Sequence, residues 1–235
     1  MKDQPKAKLP HHVIAPDKTD VWVFDLDNTL YPAGSNLFAQ IDIKLRDYVA
    51  ECLSIGPDEA RKIQKDYFME YGTTLSGMMK HHDVDPDHFL DYVHNIDFSP
   101  IERSPALIDA LTSIDGRKLV YTNADATYTA KILTRLGIAD HIEAVFDIKA
   151  AELLPKPEMV SYKKFLFEHD VDPEKAVMVE DMAKNLIPAK KLGMSTVWIN
   201  TGSIWGEADH HPDFIDVETH DLAMWLSEYI KHLGT

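Results

Sequence analysis

Cysteine is almost missing from this chain. Cys52 stands alone among 235 residues, so no intrachain disulfide can form, and the composition fits a reducing compartment. Long apolar runs are missing too. The longest stretch without Asp, Glu, Lys or Arg is 15 residues, Leu192–Gly206, and it holds three glycines. A spanning helix needs about 20 mostly apolar residues, so no membrane segment is expected. The opening Met1–Lys8 lacks the apolar stretch of a secretory signal, which makes a soluble cytoplasmic protein the expectation. Positive charge is scarce: 24 Lys and Arg against 39 Asp and Glu leave −15, with no basic cluster. The charge balance therefore argues against a nucleic-acid polymer as partner, because neutralising phosphates supplies most of such affinity. A small anionic ligand stays open, since a metal ion and backbone N–H groups make a local positive site.

What is present has the composition of a globular chain, 45% hydrophobic and 27% charged, of a length for one domain or a core with an insertion. Residues 1–18 are polar and aperiodic and read as a loose tail. Apolar runs of strand length follow at Asp20–Asp25, Lys118–Thr122, Ala144–Ile148, Ala176–Glu180 and Thr196–Asn200. Helical patterns separate the later ones: Ser104-Pro105 opens one, and another through Ile132 and Leu136 stops at Gly137. Strands alternating with helices predict an α/β fold, a doubly wound parallel sheet covered on both faces. Residues 34–103 differ, with no strand-like run. Leu37, Ile41, Leu45, Tyr48 and Cys52 share one helical face, Gly56-Pro57 opens a second helix and Asp85-Pro86 another. The expected organisation is a core of residues 19–33 and 104–235 with a helical insertion of 34–103.

Chemistry gathers where the strands end. Asp25-Leu-Asp27-Asn-Thr29 follows the first run, and alternation puts both carboxylates on one side; the same residues are also ordinary turn chemistry. The second run ends on Thr122-Asn123, a hydroxyl and an amide able to donate to a phosphoryl oxygen or to cap a helix. Lys156 is held between Pro155 and Pro157, which restricts its backbone. The fourth run stops on Glu180-Asp181, adjacent carboxylates that could also cap the next helix.

In this order the motifs resemble those of the haloacid dehalogenase-like hydrolase superfamily, over nearly all of the chain from about residue 20. The resemblance implies a Rossmann-like core, with the insertion as a type 1 helical cap. Phe24–Pro32, Tyr71–Gly77 and Asn185-Leu-x-Pro188-Ala-Lys190 are similar to the pyrimidine 5′-nucleotidase branch. Two positions depart from many relatives. Asn28 replaces a frequent Gly but tolerates positive φ, and Asn185 stands where some carry a further carboxylate.

By resemblance, Asp25 is the nucleophile and forms an aspartyl-phosphate, and Asp27 is the acid and then the base. Thr122, Asn123 and Lys156 would bind the phosphoryl group. The resemblance also implies Mg²⁺ held by Asp25, Asp27 (through its backbone carbonyl) and Asp181, with Glu180 nearby. Dehalogenases of the superfamily lack the second aspartate, so Asp27 argues for phosphoryl transfer, and the likeness to the pyrimidine 5′-nucleotidase branch implies UMP or CMP as the small phosphomonoester. Phosphomutase or sugar-phosphate phosphatase activity, and a non-enzymatic binding module, are the alternatives. Tyr71, Thr73 and Thr74 are the expected base-reading residues of the cap, with capping of a following helix the alternative for Thr73 or Thr74. The pairs His11-His12, His81-His82 and His210-His211 are expected on irregular segments and not at a metal, Met78-Met79 and Tyr67-Phe68-Met69 in the insertion's core, and Pro188 is expected to kink or delay its helix.

Overall fold

A computed structural model describes Ile14 and residues 19–233; the rest of the expected tail, with His11-His12, lies outside the described residues. Val21–Phe24 forms β1, and all four of its residues are buried, as a central parallel strand covered on both faces requires. Arg117–Tyr121 is β2, Ala144–Phe146 is β3, Ala176–Glu180 is β4, Ser195–Ile199 is β5 and Val217–Thr219 is β6. They form one sheet in the order β3-β2-β1-β4-β5-β6, with every pairing parallel. The chain winds outward from β1 on one side and from β4 on the other. The crevice between the carboxyl ends of β1 and β4 is thus the switch point at which such sheets bind ligands.

The helices are α1 (Leu37–Leu53), α2 (Pro57–Tyr71), α3 (Thr74–His82), α4 (Pro86–Val93), α5 (Pro105–Ser113), α6 (Ala126–Leu136), α7 (Met159–Glu168), α8 (Ala183–Leu192) and α9 (Leu222–Leu233). One apolar cluster joins Trp22, Phe24, Val120 and Val179 to residues of α5, α6 and α9, and includes Ile14. The opposite face packs Val23, Tyr121 and Met178 against α7 and α8. Helices α1–α4 have a third cluster of their own around Tyr48, Val49, Met78 and Phe89. The parallel α/β sheet with a helical insertion after the first strand is thus as the sequence predicts. No helix among the described residues is long and apolar enough to cross a membrane.

Several local expectations need correction. Cys52 is exposed; Val49 takes the buried place on α1. His81 and His82 are not on an irregular segment but end α3. Met69 is exposed while Met78 is fully buried. Helix α8 starts at Ala183 and runs through Pro188, so the proline does not delay it. The edge strand β6 has one buried residue, Val217, followed by exposed Glu218 and half-buried Thr219, and so shows no apolar run in the sequence.

Candidate functional site

Register explains why the motifs meet. Phe24 is level with Val120 and Val179, and the Asp25 amide extends the ladder by donating to Val179 O at 2.9 Å. One residue further along each strand therefore brings Asp25, Tyr121 and Glu180 to the same height. After Asp27 the chain turns back, with Leu30 N bonded to Leu26 O at 3.0 Å. Asn28 has φ 59° there, the left-handed conformation that Asn tolerates better than most residues.

Lys156 lies at the centre. It is 1% exposed, and its Nζ donates to Asp25 Oδ1 at 2.6 Å, Glu180 Oε2 at 3.0 Å and Tyr121 O at 3.0 Å. Burial opposes its charge, yet the Asp25 and Glu180 carboxylates outweigh that and hold the ammonium above its ordinary range. Asn123 fixes the backbone of this lysine: its Oδ1 accepts from Lys156 N at 2.8 Å, and its Nδ2 donates to Lys156 O at 3.3 Å. Thr122 is buried at the end of β2, and its Oγ1 accepts from Ala124 N at 3.0 Å.

Asp25, Glu180 and Asp181 each bring an oxygen to within 4.8 Å of the others. All three are buried. Glu180 is pushed up to about 8, by burial first and then by the charge of Asp25. Asp181 is pushed well up by burial, then by the charges of Glu180 and Asp25. One ammonium does not balance this cluster. Beside it, Asn185 Nδ2 donates to Glu180 Oε1, while Asn185 Oδ1 is a buried acceptor with no donor. Hard oxygen donors in electrostatic excess fit a hard divalent cation such as Mg²⁺.

Asp27 is bound differently. Its Oδ1 accepts from Tyr31 at 2.5 Å and from Tyr128 at 2.6 Å. Enclosure, then the charge of Asp25, raises this carboxyl despite the two phenols. Behind Tyr128 the His94 ring lies in a parallel stack at 4.2 Å, and His94 Nδ1 pairs with Asp125 Oδ2. Nothing in the sequence pattern singles out Tyr128 or His94; Tyr31, in the turn after Asp27, and Asp125, two residues beyond Asn123, lie near motifs without belonging to them.

A cavity of about 400 Å³ opens above these groups toward α1–α4, lined by Asp25, Asp27, Thr122, Asn123, Lys156, Glu180 and Asp181. Thr73 and Thr74 also line it, but their hydroxyls are engaged. Thr73 Oγ1 caps α3, accepting from Ser76 N at 3.1 Å, and Thr74 Oγ1 donates to Gln64 O at 3.2 Å. Tyr71 is not brought to the cavity; its hydroxyl donates to Glu70 at 2.6 Å and meets His81 Nε2 at 2.8 Å. Residues the motifs did not indicate complete the far wall, among them Arg61, Lys65, Phe68, Lys184 and Trp205.

Among curated proteins the chain is similar to phosphate metabolism protein 8 of Saccharomyces cerevisiae, 25% identical over 195 residues, 75% of this chain; it spans 60% of that protein's length. It is also similar to a phosphoglycolate phosphatase of Vibrio vulnificus, 23% identical over 82% of this chain and 89% of that one. A glyceraldehyde 3-phosphate phosphatase of Pyrococcus furiosus is 25% identical over 90% and 93%. In fold it is similar to an HAD phosphatase from Thermococcus onnurineus, with a TM-score of 0.61 and 22% identity over 92% and 98% of the chains. The L-2-haloacid dehalogenase of Xanthobacter autotrophicus gives 0.53 and 15% over 92% and 98%. Residues 22–199, most of the chain, match the haloacid dehalogenase-like hydrolase family, and the chain belongs to that family.

Proposed function

We propose that the protein is a Mg²⁺-dependent phosphatase of small phosphomonoesters, working through an aspartyl-phosphate on Asp25. The observation that carries this reading is the convergence of Asp25, Glu180, Asp181 and Lys156 at the β1–β4 crevice, with Asp27 beside them. Asp25, Asp181 and the backbone carbonyl of Asp27 would hold the ion, with Glu180 behind them; bound there, it would offset the repulsion between carboxylate and phosphate. Lys156 and Thr122 orient the phosphoryl oxygens, which is most of what phosphoryl transfer asks of a protein. Asn123 keeps Lys156 in place. Asp27 protonates the leaving oxygen and afterwards deprotonates the attacking water. Asp27 also favours phosphoryl transfer over dehalogenation, since a departing halide needs no proton. Residues 34–103 act as a cap over a core of 19–33 and 104–235.

Leaving-group recognition falls to the far wall. Phe68 and Trp205 meet edge to face at 6.0 Å, with Lys184 Nζ 4.2 Å from the Phe68 ring centroid and Lys65 Nζ 5.0 Å from that of Trp205. Flat rings beside cations suit a planar, oxygen-bearing base and support pyrimidine nucleoside 5′-monophosphates. The second reading is a short sugar phosphate or phosphoacid. The phosphoglycolate and glyceraldehyde 3-phosphate phosphatases among the relatives favour it, as does Lys184, a nearly buried cation on that wall. Phosphate release from UMP, CMP, AMP, GMP, phosphoglycolate, glyceraldehyde 3-phosphate and p-nitrophenyl phosphate, each with Mg²⁺ and with EDTA, tests both. Asp25→Asn should reduce release to background with the fold retained. Full activity in that variant, or after metal stripping, sinks the phosphatase reading.

A further inference from the structure

Two phenols share one oxygen of Asp27. Tyr31 and Tyr128 both donate to Oδ1, their own oxygens 3.3 Å apart, and both residues are 1% exposed. No hydrogen bond among the described residues reaches Oδ2, while Asp27 lines the cavity. An oxygen that already accepts two hydrogen bonds is a poor place for a proton. Two donors on one side of a carboxyl also fix its rotation.

The support behind Tyr128 comes from two directions. Asp125 caps α6 by accepting from Tyr128 N at 2.9 Å, and its other oxygen holds His94 Nδ1. His94 is the residue that ends α4, and its ring covers that of Tyr128. The last helix of the insertion is thereby braced against the phenol that touches Asp27.

We propose that Tyr31 and Tyr128 are positioning residues that confine the proton of Asp27 to Oδ2, with His94, held by Asp125, as the brace for Tyr128. This inference rests on the phosphatase reading. In the step concerned, an Asp25 oxygen bonds to phosphorus as the bond from phosphorus to the ester oxygen breaks. The electron pair leaves with that oxygen, which takes the proton from Asp27 Oδ2; Asp27 is left as the carboxylate that later accepts a proton from water.

The test compares Tyr31→Phe, Tyr128→Phe and His94→Ala on an alkyl phosphomonoester and on p-nitrophenyl phosphate, whose leaving group needs little protonation. General acid catalysis contributes about 10²–10⁴-fold. Each Phe variant should therefore lose about tenfold or more in the rate of the first, burst-phase release of alcohol from the alkyl ester, with substrate affinity unchanged and the burst of p-nitrophenol nearly kept. The later hydrolysis of the intermediate, in which Asp27 is the base, is common to both substrates and is left out of the comparison. His94→Ala should show the same split to a smaller extent. In an Asp27→Asn background the Phe substitutions should have no further effect on the ratio of the two substrates. Phe keeps the ring packing, and circular dichroism with melting curves identifies any variant that fails to fold. Equal losses on both substrates, no loss, or a persistent effect in the Asp27→Asn background overturns the positioning role while wild-type activity stays intact. Absence of Mg²⁺-dependent release by the wild type overturns the phosphatase reading instead, and this inference with it.

Discussion

Lys156 Nζ lies 2.6 Å from Asp25 Oδ1, across 131 positions of sequence, and neither residue is more than 6% exposed. Asp25 and Glu180 both depend on that single ammonium. Removing one partner of a buried pair leaves uncompensated charge and costs about 3–5 kcal/mol. Lys156→Met, close in shape, should lower the metal-free melting temperature by about 6–20 °C, at about 2–4 °C per kcal/mol for a chain of this size. Unchanged melting would mean that the carboxyls are neutral in the folded protein.

Repulsion within the acidic cluster predicts the opposite sign for a second variant. Burial and the charges of Glu180 and Asp25 oppose ionisation of Asp181, so Asp181→Asn should stabilise the metal-free protein. A ligand that binds only the folded state raises stability by about 2.7 kcal/mol at a hundredfold excess over its Kd. Mg²⁺ should accordingly raise the wild-type melting temperature and leave that of Asp181→Asn nearly unmoved. An equal Mg²⁺ shift in both proteins would place the ion elsewhere.

The sheet was legible because β1 and β4 are unbroken apolar runs ending on acids. A strand buried on both faces has no alternation to hide it, and parallel register carries the four motifs to one edge. The network behind Asp27 was not legible. Tyr128 sits on α6 among other apolar residues and reads as core, which it also is. His94 and Asp125 meet across 31 positions through tertiary packing alone. The motif pattern named Tyr71, Thr73 and Thr74 as base readers, but it could not show whether a hydroxyl faces a ligand or a backbone group. Thr73 faces Ser76 N. Tyr71 turns toward Glu70.

Asp42 links α1 to α2. Its carboxylate accepts from Lys65 at 2.7 Å and Gln64 at 2.8 Å and pairs with Arg61. Burial opposes its ionisation, but Lys65 and Arg61 outweigh burial and hold its carboxyl below the ordinary value. A depressed folded pKa contributes stability that is complete above the unfolded value, about 4, and is lost as pH falls through the folded one. Asp42→Asn gives up charge-assisted hydrogen bonds at a partly exposed site and should cost about 1 kcal/mol at pH 7. That difference should shrink as pH is lowered past 4 in chemical denaturation. A difference independent of pH would assign the loss to packing.

Thr73 separates capping from recognition. Replacing an N-cap Thr by an apolar residue costs about 0.5–2 kcal/mol, so Thr73→Val should melt lower while Thr73→Ser keeps the wild-type value. The ratio of UMP to AMP turnover should be the same in both variants. A changed ratio with unchanged melting would return Thr73 to base reading.

Gly72 joins the helical insertion to the lysine. It has φ 81°, and a Cβ built there would lie 3.3 Å from Lys156 O, 3.4 Å from Pro155 Cγ and 3.8 Å from Pro157 Cδ. The turn between α2 and α3 thus rests on the backbone that presents Lys156, at a conformation that disfavours L side chains by about 1–2 kcal/mol. Gly34 offers a control, because nothing lies within 4 Å of a Cβ built on it. Gly72→Ala should melt lower than wild type and lose several-fold in kcat/KM on every substrate. On the proposed mechanism the loss is common to all substrates, because the displaced group is the lysine proposed to bind the phosphoryl group and not the leaving-group wall. Gly34→Ala should change neither quantity. If Gly72→Ala behaves like Gly34→Ala in both melting and turnover, the contact of this turn with the lysine loop has no part in catalysis.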